Sequence, residues 1–116
     1  MLFYFENKST KNSEIYKLFG QLIEKGQSTE LLASIQEKTQ SGRANLILDL
    51  SELKYINSTG INVFVNLLSK VRKEGGELAI FGMNKKINDL LVITKINSLF
   101  KIFETEEESV NYFISN

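Results

Sequence analysis

Ser58 and Thr59 are adjacent alcohols placed where an apolar, strand-like run gives way to a segment of helical periodicity. An alcohol at a helix N-terminus can cap free backbone N–H groups, and a phosphate there meets the positive end of the helix dipole. Residues 50–60 therefore suit the acceptance or reading of a phosphate, which is the work of a switch rather than a catalyst. Other chemistries are poorly supplied. The chain has no cysteine and no histidine, which removes thiolates, the commonest general base and the commonest metal ligand together. A small α/β enzyme would have to use the carboxylates Asp49, Glu52 and Glu24, and no nucleophile–base pair accompanies them. Gly75-Gly76 precedes a strand instead of opening a helix, so it reads as a helix stop and not as a phosphate-binding loop. Catalysis, a cofactor and a metal are not expected.

The elements that must position the two alcohols are short apolar blocks separated by polar, helix-forming stretches. Residues 2–6 and 14–23 read as two strands joined by the polar turn 7–13, a hairpin. A helix opened by Gln27 or Ser28 runs to Gln40, with Leu31, Leu32, Ile35 and Thr39 at helical spacing and Gly42 as a stop. Residues 44–50 hold Leu46, Ile47 and Leu48 in succession, the pattern of a central strand covered on both faces. A helix over 58–74 follows, then a strand over 77–81. The turn 82–84 offers Asn84 as N-cap for a helix carrying Ile87, Leu90 and Leu91. A short strand near Ile102 precedes a last helix from Glu104, whose Val110, Phe113 and Ile114 would face inward. A hairpin followed by strand–helix alternation predicts an α/β fold: a mixed, mostly parallel sheet flanked by about four helices.

At 116 residues the chain suits one domain, 1–116, with a single core and no need of disulfides. Fourteen basic residues balance fourteen acidic ones, so no global field favours nucleic acid or an anionic membrane. Lys70, Arg72, Lys73, Lys85 and Lys86 read as solvating charges. The N-terminal residues lack the basic start and long apolar stretch of a signal peptide, and no run approaches the ~20 apolar residues that span a bilayer. A soluble, cytoplasmic protein without membrane insertion is expected.

Projected on a helical wheel, Ser58, Asn62, Asn66, Ser69 and Lys73 form a polar stripe, and Ile61, Phe64, Val65, Leu68 and Val71 the opposing core face. Val63 and Leu67 widen the apolar arc until it borders Thr59 and Lys70. Either another helix or a partner must cover that flank. Gly60, in the first helical turn, marks a place where something approaches the backbone; close packing of helix on sheet is its alternative explanation.

Asp49-Leu50-Ser51-x-Leu53-x-x-Ile56-Asn57-Ser58-Thr59-Gly60 resembles the signature of STAS domains, the bacterial anti-sigma-factor antagonists. Gly75-Gly76-Glu77-Leu78, residues 87–93, Leu99-Phe100-Lys101-Ile102-Phe103 and the acidic start of the last helix follow the same family order. The resemblance implies a cytoplasmic regulator of transcription that works by partner switching. Its partners would be an anti-sigma factor with serine-kinase activity and a resetting serine phosphatase. Carried over by position, Ser58 is the phosphoacceptor and Thr59 the second choice. The expected partner-binding residues are Glu24, Asn57, Ser58, Thr59, Gly60, Asn62, Val63, Asn66, Leu67 and Met83. Asn57 stands where the family usually has Asp, and Ile23 where an acid commonly occurs, with Glu24 one place later. The loss of a carboxylate beside the acceptor points to the alternative, a constitutive scaffold subunit of a stressosome-like or lipid-transport complex.

Overall fold

Phe3–Ser9 (β1) and Glu14–Leu22 (β2), joined by a polar turn, form an antiparallel hairpin, with Phe3 opposite Gly20 and Ser9 opposite Glu14. The computed structural model describes residues 2–115, the last by its backbone only; Met1 and Asn116, the ends of the expected domain, lie outside them. After the hairpin come Thr29–Gln40 (α1), Leu46–Ile56 (β3), Ser58–Lys73 (α2), Leu78–Phe81 (β4), Lys85–Ile93 (α3), a single 3-10 turn at Asn97–Leu99, Lys101–Phe103 (β5) and Glu106–Ser115 (α4). The sheet order is β1-β2-β3-β4-β5, with β2 to β5 mutually parallel. The expected mixed, mostly parallel sheet with four helices is what forms.

Each crossover from β2 onward moves one strand in the same direction, so the right-handed rule for β–α–β units puts α1, α2 and α3 on one face. Leu31, Ile35, Phe64, Leu67, Ile87 and Leu91 from those helices pack with Leu48, Leu50 and Ile80 in the main core. The other face carries α4, whose Phe113 joins Ile15, Ile47, Ala79 and Phe81 in a smaller cluster.

Three expectations are corrected. β1 runs on to Ser9 instead of stopping at Glu6, because Asn7 and Ser9 both bond the Glu14 carboxylate (3.3 and 2.9 Å) and hold the strand to its partner. β3 continues from Leu50 to Ile56, since Leu53 and Ile56 are buried and pair with the far end of β2; most of the expected loop before Ser58 is strand. Ile114 is 54 % exposed. In α4 the inward positions go to Ser109 and Phe113, and Ser109 satisfies its hydroxyl on the Glu106 carbonyl (2.8 Å). The helix starts at Glu106 behind a capping box: Glu108 N–H donates to Thr105 Oγ1 (3.2 Å) and Thr105 N–H to the Glu108 carboxylate (3.2 Å).

The base of the hairpin holds a buried charge that sequence reading did not single out. Glu14 is 1 % exposed and pairs with Arg43 (2.8 Å) and Lys38 (3.6 Å). Arg43 also donates to the Lys11, Thr10 and Ser13 carbonyls (3.0, 2.6 and 3.0 Å), stapling the hairpin turn to the start of β3. Burial pushes the Glu14 carboxyl up, but hydrogen bonds from Ser9, Arg43 and Asn7 and the Lys38 charge outweigh it and hold it below its ordinary value.

Candidate functional site

Asn57 is the one residue between β3 and α2. Its backbone is extended, and its Oδ1 accepts from Thr59 N–H (2.9 Å) and Gly60 N–H (3.4 Å), the geometry of an N-cap. Its amide Nδ2 donates to the Ile23 carbonyl (3.0 Å), tying the loop after β3 to the loop after β2. In that second loop Gln27 Oε1 accepts from Ile23 N–H (2.9 Å) and Glu24 N–H (2.8 Å). The side-chain cap is thus made by Asn57, not by an alcohol. Ser58 is exposed at the first helical position, and among the described residues its hydroxyl has no hydrogen-bond partner. α2 carries no acidic residue in its first turn and three basic ones in its last. An anion added at Ser58 would therefore meet a dipole end that no side-chain charge has already neutralised.

Asn57→Ala is expected to destabilise the protein by about 1–2 kcal/mol, the upper part of the range for a lost N-cap, because the Ile23 tie goes with it. Asn57→Asp keeps the acceptor for the helix and loses only the donor to Ile23, so its urea midpoint should fall between those of wild type and Asn57→Ala.

Asn62 and Asn66 continue along the exposed side of α2 below Thr59. With Val63 they form one wall of a groove of about 370 Å³, whose other wall is Lys25, Gly26, Ser28 and Leu32 from the loop after β2 and from α1. Thr59, Asn62, Val63 and Asn66 are therefore brought together. Lys25 and Leu32 complete the groove and were missed: Lys25 has no periodicity to mark it, and Leu32 read simply as part of the apolar face of α1. Glu24 is exposed beside them.

Leu67, Gly60 and Met83, expected at the interface, stand elsewhere, and Val63 is largely covered. Leu67 is fully buried and Val63 only 7 % exposed, both in the core that includes Leu31 and Ile35 of α1. A neighbouring helix covers the wide apolar flank, so Leu67 is not available to a partner and Val63 offers only its edge. Gly60 is buried: a Cβ there would lie 2.7 Å from both Ile56 Cβ and the Leu22 carbonyl oxygen. Its absent side chain serves the approach of helix to sheet, not of a partner. Met83 is half-buried and lines a separate groove with Asn84, Lys85, Asn88 and Ile102 between α3 and β5. Asp49, considered for catalysis, is buried with its Oδ1 accepting from Ser51 N–H (2.9 Å) and Ser51 Oγ (2.7 Å).

A strand–cap–helix junction carrying an unengaged serine is a local motif, and similarity over the rest of the chain decides what it belongs to. The family model described as STAS domain matches residues 4–109. The chain belongs to the STAS domain family. This STAS chain is 35 % identical over 63 residues to the anti-sigma-B factor antagonist of Listeria monocytogenes, a match covering 54 % of this chain and 55 % of that protein. Among solved structures it is similar to an anti-sigma factor antagonist from Mycobacterium paratuberculosis, with a TM-score of 0.80 and 14 % identity over 97 % of this chain and 95 % of that one. It is also similar to the Bacillus cell fate determinant SpoIIAA in its phosphorylated form, with a TM-score of 0.73 and 16 % identity over 94 % and 98 % of the two chains. At these identities the structural likeness is one of fold. No helix among the described residues is long and apolar enough to cross a membrane.

Proposed function

We propose that this STAS domain is a partner-switching antagonist that binds a kinase-type anti-sigma factor and is released when Ser58 is phosphorylated. The observation that carries the reading is the division of labour at the α2 N-terminus: Asn57 caps the helix, and the Ser58 hydroxyl stays exposed and uncommitted. The antagonist names of relatives and the phosphorylated form of a protein of similar fold support it. In the transfer, Ser58 Oγ attacks the γ-phosphorus of the kinase-bound ATP. The new O–P bond forms as the bond to ADP breaks, and the serine proton passes to a base of the kinase. The domain needs no base of its own.

The docking surface is Ser58, Thr59, Asn62 and Asn66 with Lys25 and Glu24 beside them. Phosphate adds about −1.5 to −2 charges at neutral pH in the middle of it. The helix end tolerates that charge while the partner rejects it, so the switch alters interface free energy with little internal movement. Incubation with the cognate kinase and ATP, read by intact mass, is expected to add one phosphate to the wild type and none to Ser58→Ala. The phosphorylated protein should bind the kinase at least about tenfold more weakly, a coupling of about 1.4 kcal/mol. Stable binding with no added phosphate on the wild type would overturn this reading in favour of a constitutive STAS scaffold. The scaffold reading draws on Asn57, whose amide ties two loops where a neighbouring carboxylate is usual in the family.

A further inference from the structure

β1 is an edge of the sheet, with β2 on one side and no strand on the other among the described residues. Two flanking bonds establish which of its backbone groups are spent. Gln21 N–H donates to the Leu2 carbonyl (3.0 Å) and Thr10 N–H to the Ser13 carbonyl (2.8 Å), and the register between them is unbroken. Directly opposed residues exchange hydrogen bonds at alternate positions of an antiparallel pair, so the even-numbered residues of β1 bond to β2. Phe3, Phe5, Asn7 and Ser9 therefore aim N–H and C=O at the free edge. The side chains divide the other way. Phe3 and Phe5 pack against the main core, whereas Tyr4, Glu6 and Lys8 are exposed on the face of α4, where Lys8 meets Glu106 at 2.9 Å.

Open edges are blunted by charged side chains, proline, bulges or covering elements; the chain has no proline and β1 keeps an unbroken register with β2. β1 carries one acid and one base two residues apart on the same face. We propose that β1 pairs with the β1 strand of a second copy of this chain, antiparallel about a two-fold axis through Asn7, so that Glu6 of each copy faces the partner's Lys8. A two-fold interface uses the same patch twice, and this strand is self-complementary in that one register. Centring the axis on Glu6 keeps the hydrogen-bond phase but sets the two Glu6 carboxylates face to face. Centring it on Phe5 sets Tyr4 opposite the partner's Glu6 and leaves Lys8 without an opposite charge. Cross-strand charge pairs and the phase of the ladder together select Asn7. A groove of about 410 Å³ beside Phe3, Tyr4 and Phe5, walled by Gly26, Gln27, Thr29 and Glu30, leaves room along the edge for the incoming strand.

A ladder this short covers less than the roughly 1,600 Å² of a standard interface, so the dimer is one that forms with concentration. Sedimentation from micromolar to millimolar protein should show a reversible monomer–dimer equilibrium, with exchange of the Phe5 and Asn7 amides slowing as the dimer fills. All charge variants are made in a Glu106→Gln background, so that an acid introduced at position 8 has no carboxylate beside it. Glu6→Lys and Lys8→Glu should each weaken dimerisation by about tenfold or more, since two symmetric pairs are reversed at once. The double exchange should restore it. A monomer throughout the range, or a dimer that neither reversal moves, would overturn the proposal. All the substituted side chains are exposed, and thermal unfolding of each variant verifies that the monomer fold is retained.

Discussion

Replacing Arg43 by alanine is expected to cost about 3 kcal/mol of stability, at the lower end of the range for stranding a buried charge. The Glu14 carboxylate it leaves behind is almost fully buried. Lys38 remains at 3.6 Å, with the Ser9 and Asn7 bonds still in place, which keeps the loss from being larger. The Lys11 and Thr10 carbonyls lose the Arg43 donor as well, while the Ser13 carbonyl keeps Thr10 N–H and Thr10 Oγ1. The cost should shrink in a Glu14→Gln background, where no buried charge needs the guanidinium; a double-mutant cycle by urea unfolding measures the difference. The same pair governs acid sensitivity. The Glu14 carboxyl titrates lower in the folded chain than its ordinary value of 4.5. Its contribution is therefore fully present above that value and is lost as pH falls through the lower, folded-state value. Glu14→Gln should flatten the acid limb of the stability curve below about pH 4.5, and an acid limb as steep as that of wild type would show that other carboxylates dominate it.

Gly60→Ala is expected to destabilise by about 1–3 kcal/mol, the range for forcing extra carbon into a packed contact. The gain in helix propensity from alanine, at most about 1 kcal/mol, works in the opposite direction. The collision is with the Ile56 side chain and with the backbone oxygen of Leu22, and backbone cannot turn aside. Relief has to come from lifting the first turn of α2, which would also displace Asn57 from the Ile23 carbonyl and shift Ser58. Weaker partner binding by Gly60→Ala at temperatures where it is still folded would distinguish that displacement from simple unfolding. Ser58→Ala should leave the unfolding midpoint unchanged to within about 0.5 kcal/mol, since its hydroxyl bonds to nothing among the described residues.

Periodicity located α2 and both of its neighbouring strands, and turn chemistry the Asn84 cap, because each of those features is written within a few residues of itself. It failed where long-range pairing sets the pattern. Residues 51–56 read as a loop because their burial runs exposed, exposed, buried, exposed, exposed, buried, a spacing of three that no regular strand shows. The cause is two register irregularities in the pairing with β2, between Lys17 and Phe19 and between Gly20 and Gln21, which break the alternation of faces. The width of the apolar arc on α2 was also legible, but not what covers it: Val63 and Leu67 signal burial without saying whether α1 or another molecule supplies it. Likewise Gly60 signalled close approach, and only the fold shows that Ile56 and Leu22 are what approach. For Ser58 the sequence marked the place, while the free hydroxyl became visible only once the Asn57 side chain was seen to hold both ends of the cap.

The strands lie side by side in the order in which the chain makes them. Open α/β sheets commonly hold their small ligands in the crevice that opens where strand order reverses and neighbouring helices leave on opposite faces. Here β2 to β5 never reverse, so α1, α2 and α3 depart on the same side and no such crevice is created between them. The loop ends of this sheet thus present a surface of separate grooves, one between α1 and α2 and one between α3 and β5. Evolution of a new specificity on it need not reshape a cavity; changing a few exposed side chains around a fixed serine is enough to change the molecule it meets.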